Sequence, residues 1–514
     1  DSSGSGGGEA KPQAGGTLHI SQGEEVLSLD PLEALDGFSV NLVSQINESL
    51  FKVNADGKNE PWLVESVKKS SDQRTWTFQL RQGVEFSDGT PMTSADVLFT
   101  FETAKKSAIW GATFEADSFA APSPGTFVIK SEKPAPELPA ILSQWSYGIV
   151  PKDYGGVSEK QFAQQPVGTG PFMLAKWKRG EAITLARNPH YWQPGQPYLD
   201  EVVFQTVPNP ESRTAQLKGG QLDAIQSPPW PQVAGLESTP GLEVGDYPLG
   251  FSEFVVLNAR NPTFQNPKVR EAVNLGLDRE GIINTTIGEH GEAAAAWLPP
   301  VVPYHDAGIE TPARDVAKAK QLIAEARREG VDTSIRLITY PESSFWATGS
   351  QILLANLKEI GFDVKVETYD VASLSEKLTS GDFDVAPLEA YSAIPSPSEL
   401  FGLYNAYEGI YSGADTTQTE KLAAEAQSEV DPKRREGLWQ RAQQVIADEE
   451  FVDMVAYLPY VWALKDNVTG FTVTSTGTPW LAMELLKGET MASFVGRRGG
   501  LAAWQRAGLP VTTR

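Results

Sequence analysis

Cysteine is absent from the 514-residue sequence. Its absence excludes disulfide bridges, thiol nucleophiles and cysteine-ligated metals. Histidine is also scarce: the four histidines, His19, His190, His290 and His305, are scattered without the spacing of metal ligands. The sequence therefore predicts neither a metal centre nor a thiol-based catalyst.

Positive charge and long apolar runs are also in short supply. Lys and Arg number 43 against 66 Asp and Glu, which leaves a formal net charge of −23. That balance argues against binding nucleic acid or an anionic membrane surface through charge. No apolar run approaches the roughly 20 residues that span a bilayer, and no signal peptide is recognisable, so we expect the sequence to be the mature form of an exported protein.

Sequence motifs of catalysts are missing as well. The sequence has no G-x-S-x-G elbow, no H-E-x-x-H pair and no Walker sequence. A glycine-rich stretch at 167–172 reads V-G-T-G-P-F, but it lacks the lysine of a P-loop, and its proline removes a backbone donor that a phosphate would need. We interpret this stretch as a tight structural crossover, and we expect no enzyme activity and no cofactor.

The most regular pattern in the sequence lies at residues 61–101. At 75–80 the sequence T-W-T-F-Q-L alternates polar and apolar residues, which predicts a strand with one apolar face. At 87–91 the sequence S-D-G-T-P has the residues of a tight turn. Thr93 or Ser94 then caps a predicted helix.

This block resembles the W-x-F-x-L-R-x-G-V-x-F-x-D-G-x-P pattern of the extracellular solute-binding proteins of family 5, the peptide, nickel and opine receptors of ABC importers. The stretch at 167–172 and the sequence R-N-P-H-Y-W at 187–192 resemble the G-T-G-P-F and R-N-P-x-Y-W landmarks of the same family. Shorter matches follow later in the chain, and the resemblance covers roughly residues 17–487.

The resemblance implies an α/β fold of the two-lobed, type II periplasmic-binding-protein kind, with an extra inserted subdomain and a hinge of two strands. It also implies a division of the chain, which we state as a prediction. The segments are a flexible Gly/Ser-rich linker (1–16), a discontinuous lower lobe (17–46, 171–258 and 466–487), an inserted subdomain (47–170), an upper lobe (259–465) and a C-terminal extension of unknown role (488–514).

The Gly/Ser-rich composition of the first 16 residues is typical of a flexible linker. The linker resembles the tether that follows the lipidated cysteine of bacterial lipoproteins, and that cysteine would precede Asp1. We therefore expect an extracytoplasmic protein, either lipid-anchored at the outer face of the cell membrane or periplasmic. A spacer introduced by cloning is the alternative interpretation of the linker.

The loops that hold the two ends of a peptide in this family are different in this chain. In peptide receptors an aspartate in a G-W-x-x-D segment pairs with the peptide ammonium, because burying an ammonium is costly without a carboxylate. The matching stretch of this sequence places Ile394 at that position, and the loop at 340–346 lacks the arginine that binds a dipeptide carboxylate. These differences argue against a free dipeptide as the ligand unless another acid substitutes, for which the candidates are Glu24, Glu25, Glu342 and Glu389, and they leave a blocked, modified or longer peptide open.

Aromatic residues are frequent in the segments that line the cleft in relatives. Aromatic rings form platforms for sugars or pockets for apolar side chains, and their faces attract cations. Each of them is equally compatible with a place in the core. The predicted ligand-binding residues are Glu24, Glu25, Val26, Trp145, Tyr147, Trp230, Phe251, Phe345, Trp346, Tyr391 and Ile394.

The resemblance predicts a monomeric substrate-binding protein that captures a peptide or peptide-like solute between two closing lobes and delivers it to an ABC permease in the membrane. No nucleic-acid partner is expected. An oligosaccharide or glycoside receptor, and a metal-chelate or opine receptor, are alternatives on the same scaffold. A chaperone-like or signalling protein that transports nothing is the alternative from a different class.

Overall fold

The computed structural model describes residues 15–34, 37–54, 57–106, 118–340, 345–392, 396–469, 471–473, 479–480 and 486–487. Helices and strands alternate along these residues, so the predicted α/β class is confirmed. Most of the predicted linker and all of the C-terminal extension lie outside the described residues.

The strands are numbered in chain order. They are β1 (Thr17–Gln22), β2 (Phe51–Val53), β3 (Asn59–Pro61), β4 (Val64–Lys69), β5 (Thr75–Leu80), β6 (Ser118–Ser123), β7 (Thr126–Lys130), β8 (Phe172–Lys178), β9 (Ala182–Arg187), β10 (Glu201–Thr206), β11 (Ala224–Gln226), β12 (Leu242–Leu257), β13 (Glu292–Ala293), β14 (Ser334–Thr339), β15 (Asp363–Thr368), β16 (Val385–Tyr391), β17 (Val452–Lys465), β18 (Val468–Thr469), β19 (Thr472–Val473), β20 (Pro479–Trp480) and β21 (Leu486–Lys487).

The α-helices follow the same convention, and short 3₁₀ or π segments are named by their residues. The helices are α1 (Gly37–Ile46), α2 (Ser94–Lys106), α3 (Leu138–Ile141), α4 (Glu159–Phe162), α5 (Pro210–Lys218), α6 (Trp230–Glu237), α7 (Pro262–Gln265), α8 (Pro267–Gly276), α9 (Arg279–Thr286), α10 (Val316–Arg328), α11 (Trp346–Ile360), α12 (Val371–Ser380), α13 (Pro397–Asn405), α14 (Thr417–Ser428) and α15 (Pro432–Glu449). The other segments are Trp145–Tyr147, Lys152–Gly156, Gly288–His290 and Ala406–Ser412.

One large sheet runs through the described part of the chain. Its eleven strands have the order β15-β14-β16-β12-β17-β11-β1-β10-β9-β8, with β13 paired to β17 outside this path. A separate four-stranded sheet of order β4-β5-β7-β6 belongs to the segment predicted as the inserted subdomain. The long strands β12 and β17 therefore lie at the centre of the large sheet and join its two ends.

The hydrophobic cores lie on both sides of these central strands. Val255 and Leu257 of β12 enter one core, which α8, α9, α10 and α11 cover. Phe254 and Val256, on the other face of the same strand, enter a second core with α13 and α15. Trp462 of β17 enters a third core, with β1, β9 and β10. Alternate side chains of the central strands thus fix helices on opposite faces of the sheet.

The local elements at 61–101 are confirmed. The strand β5 has the predicted bounds, and its buried residues alternate with half-buried ones. The helix α2 begins at Ser94, where the hydroxyl of Thr93 hydrogen-bonds the Asp96 carboxylate at 2.9 Å. The central strands β12 and β17 have 16 and 14 residues. Most residues of β17 are buried, so it lacks the period-two alternation that marks a half-exposed strand.

The V-G-T-G-P-F stretch passes directly over the end of α1. A Cβ atom on Gly168 would lie 2.0 Å from the carbonyl oxygen of Ile46, and one on Gly170 would lie 2.5 Å from that of Gln45. Only glycine allows this backbone approach. The interpretation as a tight structural crossover is therefore confirmed.

Glu48, next to this crossover, is a buried carboxylate that collects hydrogen bonds from several motifs. Thr169 donates to Oε2 at 2.9 Å, while Trp62 Nε1 and Tyr191 Oη donate to Oε1 at 2.8 and 3.0 Å. Trp192 Nε1 donates to Oε2 at 3.0 Å. Burial raises the pKa of Glu48 to about 7, while these hydrogen bonds oppose the rise. One carboxylate thus joins three separate sequence motifs.

Replacement of Glu48 by alanine should lower the free energy of unfolding by about 3 kcal/mol, because the indole N–H groups of Trp62 and Trp192 would lose their acceptor at about 1–3 kcal/mol each. Glu48→Gln keeps one acceptor oxygen and should lose less. Chemical denaturation at pH 7, followed by tryptophan fluorescence, measures the difference. The control is Glu65→Ala on the exposed side of β4; equal stabilities of E48A and E65A would contradict this role of Glu48.

Candidate ligand-binding site

The two central strands form the connection between the two ends of the large sheet. β12 pairs with β17 from Leu242↔Lys465 to Val256↔Val452, in antiparallel register. At one end β17 pairs with β11, and at the other end β12 pairs with β16. The register shifts twice, between Pro248 and Ser252 and between Glu253 and Phe254. Such bulges bend strands and re-aim side chains, and they are common beside functional sites.

Glu253 lies at the second of these bulges and is 1% exposed. Its Oε2 atom is buried and has no hydrogen-bond partner in the described part of the chain. Directly across the sheet, Glu389 of β16 is its register partner. Desolvation raises the pKa of Glu253 well above its usual range, the charge of Glu389 raises it further, and a hydrogen bond from Trp346 opposes the rise.

An aromatic pair lies two residues further along the same strands. Phe251 of β12 is the register partner of Tyr391 of β16, with ring centroids 6.3 Å apart. Both side chains are partly exposed. Because side chains two residues apart in a strand share a face, this pair and the two glutamates lie on one side of the sheet. The structure therefore brings together two of the predicted ligand-binding residues, Phe251 and Tyr391.

Phe345 and Trp346 are placed at the start of α11, with their rings 5.1 Å apart in an edge-to-face contact. They are 1% and 0% exposed and pack in the core that contains Val255. Trp346 Nε1 lies 3.3 Å from the carbonyl oxygen of Leu388. The polar edge of Trp346 thus reaches β16, whereas its ring packs in the core.

Trp145 and Tyr147 lie in the segment predicted as the inserted subdomain. Tyr147 is fully buried and stacks on Phe101, with ring centroids 5.3 Å apart. Trp145 is half-buried, and its Nε1 donates to the carbonyl oxygen of Ala34 at 3.0 Å. Of these two residues only Trp145 retains surface that a ligand can contact.

The loop after β1 contains Glu24, Glu25 and Val26. Glu25 accepts a hydrogen bond from the backbone N–H of Gly180 at 3.0 Å, and Arg179 donates to the carbonyl oxygen of Val26 at 3.2 Å. Val26 is fully buried. Glu25 and Val26 thus attach this loop to the turn between β8 and β9, while the side chain of Glu24 is exposed.

Trp230 begins α6 and lies against His290, with ring centroids 5.9 Å apart. His290 Nδ1 is 2.8 Å from Asp246 Oδ2 on β12. This contact links the 3₁₀ segment Gly288–His290 to the hinge strand. The remaining predicted residue, Ile394, lies outside the described residues, and the roles of the whole predicted set stay predictions.

Sequence reasoning missed Glu253. The only indication of it is a carboxylate within the apolar run F-S-E-F-V-V-L. Two further buried polar side chains, Ser21 and Gln22 at the end of β1, each have an oxygen without a hydrogen-bond partner among the described residues. A prediction from the alternation of apolar and polar residues would have placed these polar side chains on the solvent-exposed face of a strand.

Within the described residues, no group of three or more His, Asp or Glu side chains is arranged to hold a metal ion. No helix of the same residues has the length and apolar character needed to cross a bilayer.

Comparison with known proteins decides the family. A model of the bacterial extracellular solute-binding proteins, family 5 (middle region), matches residues 58–412, which is more than half of the chain. The chain is a family 5 solute-binding protein. The family predicted from the sequence is thereby confirmed, and a protein of this extracellular family works outside the cytoplasm.

Two relatives of this solute-binding protein carry peptide-related names. The oligopeptide-binding protein AppA of Bacillus subtilis is 26% identical, over 90% of this chain and 90% of AppA. The periplasmic binding protein DppA of Helicobacter pylori, solved in complex with the peptide STSA, is 26% identical, with a TM-score of 0.74 over 91% of this chain and 98% of DppA. NikA of Brucella suis, solved with Fe(III)-EDTA, shares the fold with a TM-score of 0.84 at 22% identity, over 92% of this chain and 100% of NikA. The two-lobed fold is therefore confirmed.

The contact between His290 and Asp246 should make stability depend on pH. The hydrogen bond that His290 donates to Asp246 raises the pKa of His290, partial burial opposes the rise, and the charges of Asp246, Glu237 and Glu289 add to it. Protonated His290 therefore stabilises the fold fully below the unfolded pKa of about 6.5, and this contribution is lost as pH rises through the folded pKa.

Asp246→Asn should therefore destabilise the protein more at pH 5.5 than at pH 9, as measured by urea denaturation of variant and wild type at each pH. Glu237→Gln is the control, because its carboxylate is 3.8 Å from His290 Nε2 and should matter less. If D246N loses the same stability at both pH values, protonated His290 does not stabilise the fold through Asp246.

Proposed function

We propose that this solute-binding protein captures a peptide between two lobes, and that it delivers the peptide to the membrane permease of an ABC importer without chemical turnover. The names of AppA and of the DppA complex support a peptide ligand. The lobes follow the division predicted from the sequence. We further propose that it acts as a monomer and that residues 1–16 tether it to a lipid anchor.

The observation that carries capture by closure is a contact around Glu137, which precedes α3 in the predicted inserted subdomain. Its Oε2 atom accepts hydrogen bonds from Ser396 at 2.5 Å and from Ser398 at 2.9 Å. Its Oε1 atom accepts from Trp439 Nε1 at 3.0 Å. All three donors belong to the predicted upper lobe, so one carboxylate bridges the two halves.

This bridge favours a closed arrangement of the lobes. Burial raises the pKa of Glu137, and the hydrogen bonds from Ser396, Ser398 and Trp439 act against the rise. In an open arrangement water would replace these donors. A ligand that contacts both lobes would add to the same closed state, since a ligand shifts a conformational equilibrium only by binding one state better.

The aromatic residues alone support the oligosaccharide alternative, and the bound chelate of a structure at 22% identity does not carry over to this chain. Peptide capture is therefore the function tested first.

A tryptic digest of casein should raise the melting temperature of the purified protein, because a ligand at 100 times its Kd adds about 2.7 kcal/mol to stability. Native mass spectrometry then identifies the retained peptides. Maltohexaose and nickel–histidine serve as the matched non-peptide probes. A shift with either of these and none with the digest would refute peptide capture.

Glu137→Ala should weaken ligand binding roughly tenfold or more, because a hydrogen-bonded buried charge is worth about 1.5–3 kcal/mol. The closed state of the variant loses the hydrogen bonds from Ser396, Ser398 and Trp439 that join the two lobes. Small-angle scattering should therefore show a larger radius of gyration for the ligand-free variant than for the ligand-free wild type. Glu132→Ala, an exposed position nearby, is the control. If E137A and E132A bind the digest equally well, Glu137 has no part in closure.

A further inference from the structure

We infer that Glu253, together with Glu389, binds a protonated amine of the ligand. The inference deepens the proposed function and rests on it, since it names the chemical group by which a captured peptide is held at the hinge. The site differs from the position at which family resemblance led us to expect an acid, where this chain has Ile394.

The carboxylate of Glu253 has no counter-charge among the described residues. Glu253 is 1% exposed, and its Oε2 atom has no hydrogen-bond partner among the described residues. The charge that acts on it is the like charge of Glu389.

Burial of the Glu253 carboxylate without a partner costs desolvation free energy. This cost is relieved either by protonation of the carboxylate or by a cation that pairs with it. Glu389 is exposed, so this cost falls on Glu253, and the like charge of its register partner Glu389 adds to it. Glu253 therefore holds a proton in the ligand-free protein. An ammonium placed between the two carboxylates allows both to be ionised. Its binding therefore releases that proton to solvent, and no bond other than the O–H bond is broken.

The aromatic pair beside the two glutamates also favours a cationic group of the ligand. Phe251 and Tyr391 lie on the same face as the two glutamates, one register step of two residues away. Aromatic faces within about 6 Å attract cations. A compact ammonium with three donors matches a site of separate acceptors, whereas a guanidinium prefers a planar, two-pronged partner.

The position of the two glutamates in the sheet links amine binding to closure of the lobes. Glu253 belongs to the hinge strand β12 and Glu389 to the neighbouring strand β16, beside the register shift between Glu253 and Phe254. An amine held there touches the element about which the lobes move. Its binding energy is therefore available to favour the closed state.

The competing explanation is that Glu253 is a protonated structural residue. Glu408 is the matched case, because it is also fully buried with a raised pKa. Each of the two acids has one donor and one carboxylate oxygen without a hydrogen-bond partner among the described residues, Oε2 of Glu253 and Oε1 of Glu408. Glu408 differs in lying in the segment Ala406–Ser412, outside β12 and β16, where its donor is Ser412 Oγ at 2.8 Å. The substitution Glu408→Gln therefore makes the same chemical change away from the proposed site.

The test uses a tryptic digest of casein and the same digest acetylated with acetic anhydride, which neutralises amines and leaves guanidinium groups intact. Thermal shifts are titrated for the wild type, E253Q and E408Q, with circular dichroism of each variant. We expect the native digest, and not the acetylated one, to stabilise the wild type and E408Q. For E253Q the half-saturating concentration of native digest should rise by about thirtyfold or more.

The outcomes separate the two proposals. Equal shifts of the wild type by both digests would overturn the amine site while leaving peptide capture intact, and this comparison needs no variant to fold. A folded E253Q with the wild-type preference for the native digest would also overturn the site. The absence of any shift with either digest would reject peptide capture and, with it, this inference.

Discussion

The pairing of β12 with β17 is the interaction on which the rest of the structure depends. It is the part of the large sheet that lies between β16 on one side and β11 on the other. Phe254 and Val255, adjacent in β12, enter different cores, and Trp462 of β17 enters a third. Any rotation of the two halves must therefore be absorbed where the register of this pair is broken, because the flanking parts are fixed by the cores.

The carboxylates of Glu48, Glu137 and Glu253 differ in how their charge is accommodated. Glu48 and Glu137 are surrounded by donors that the chain itself supplies, so they hold separate segments together. Glu253 receives a hydrogen bond from Trp346 and faces another acid. Glu48 and Glu137 serve folding and the proposed closure, whereas Glu253 keeps one oxygen without a donor among the described residues. Glu408 and Asp453 keep such oxygens as well, so the place of Glu253 on β12 opposite Glu389, and not its number of donors, supports the proposed amine site.

The sequence predicts local structure well, whereas it carries little information on contacts between distant strands. The alternation at 75–80 and the cap at Thr93 predict β5 and α2 because those patterns are formed by neighbours in the chain. The full lengths of β12 and β17 are not predictable in this way, since both are buried in the middle of a sheet. The pairing of Glu253 with Glu389 is a register between distant strands, and sequence alone carries no information on which face either side chain occupies. For the same reason the sequence left open whether Phe345 lines the cleft or packs in the core, where the structure places its side chain.

The place of β17 in the chain also governs the order in which the protein can fold. β17 pairs with β11, β12 and β13, all of which precede it by more than 150 residues. Until it is synthesised, β11 and β12 each present an unpaired edge, and neither half of the large sheet is complete. Such long-range pairing is slow, because the chain pays for closing large loops before it gains contacts. A chain that ends before β17 would therefore expose the edges of both β11 and β12. These edges could pair with each other or with a strand of another chain.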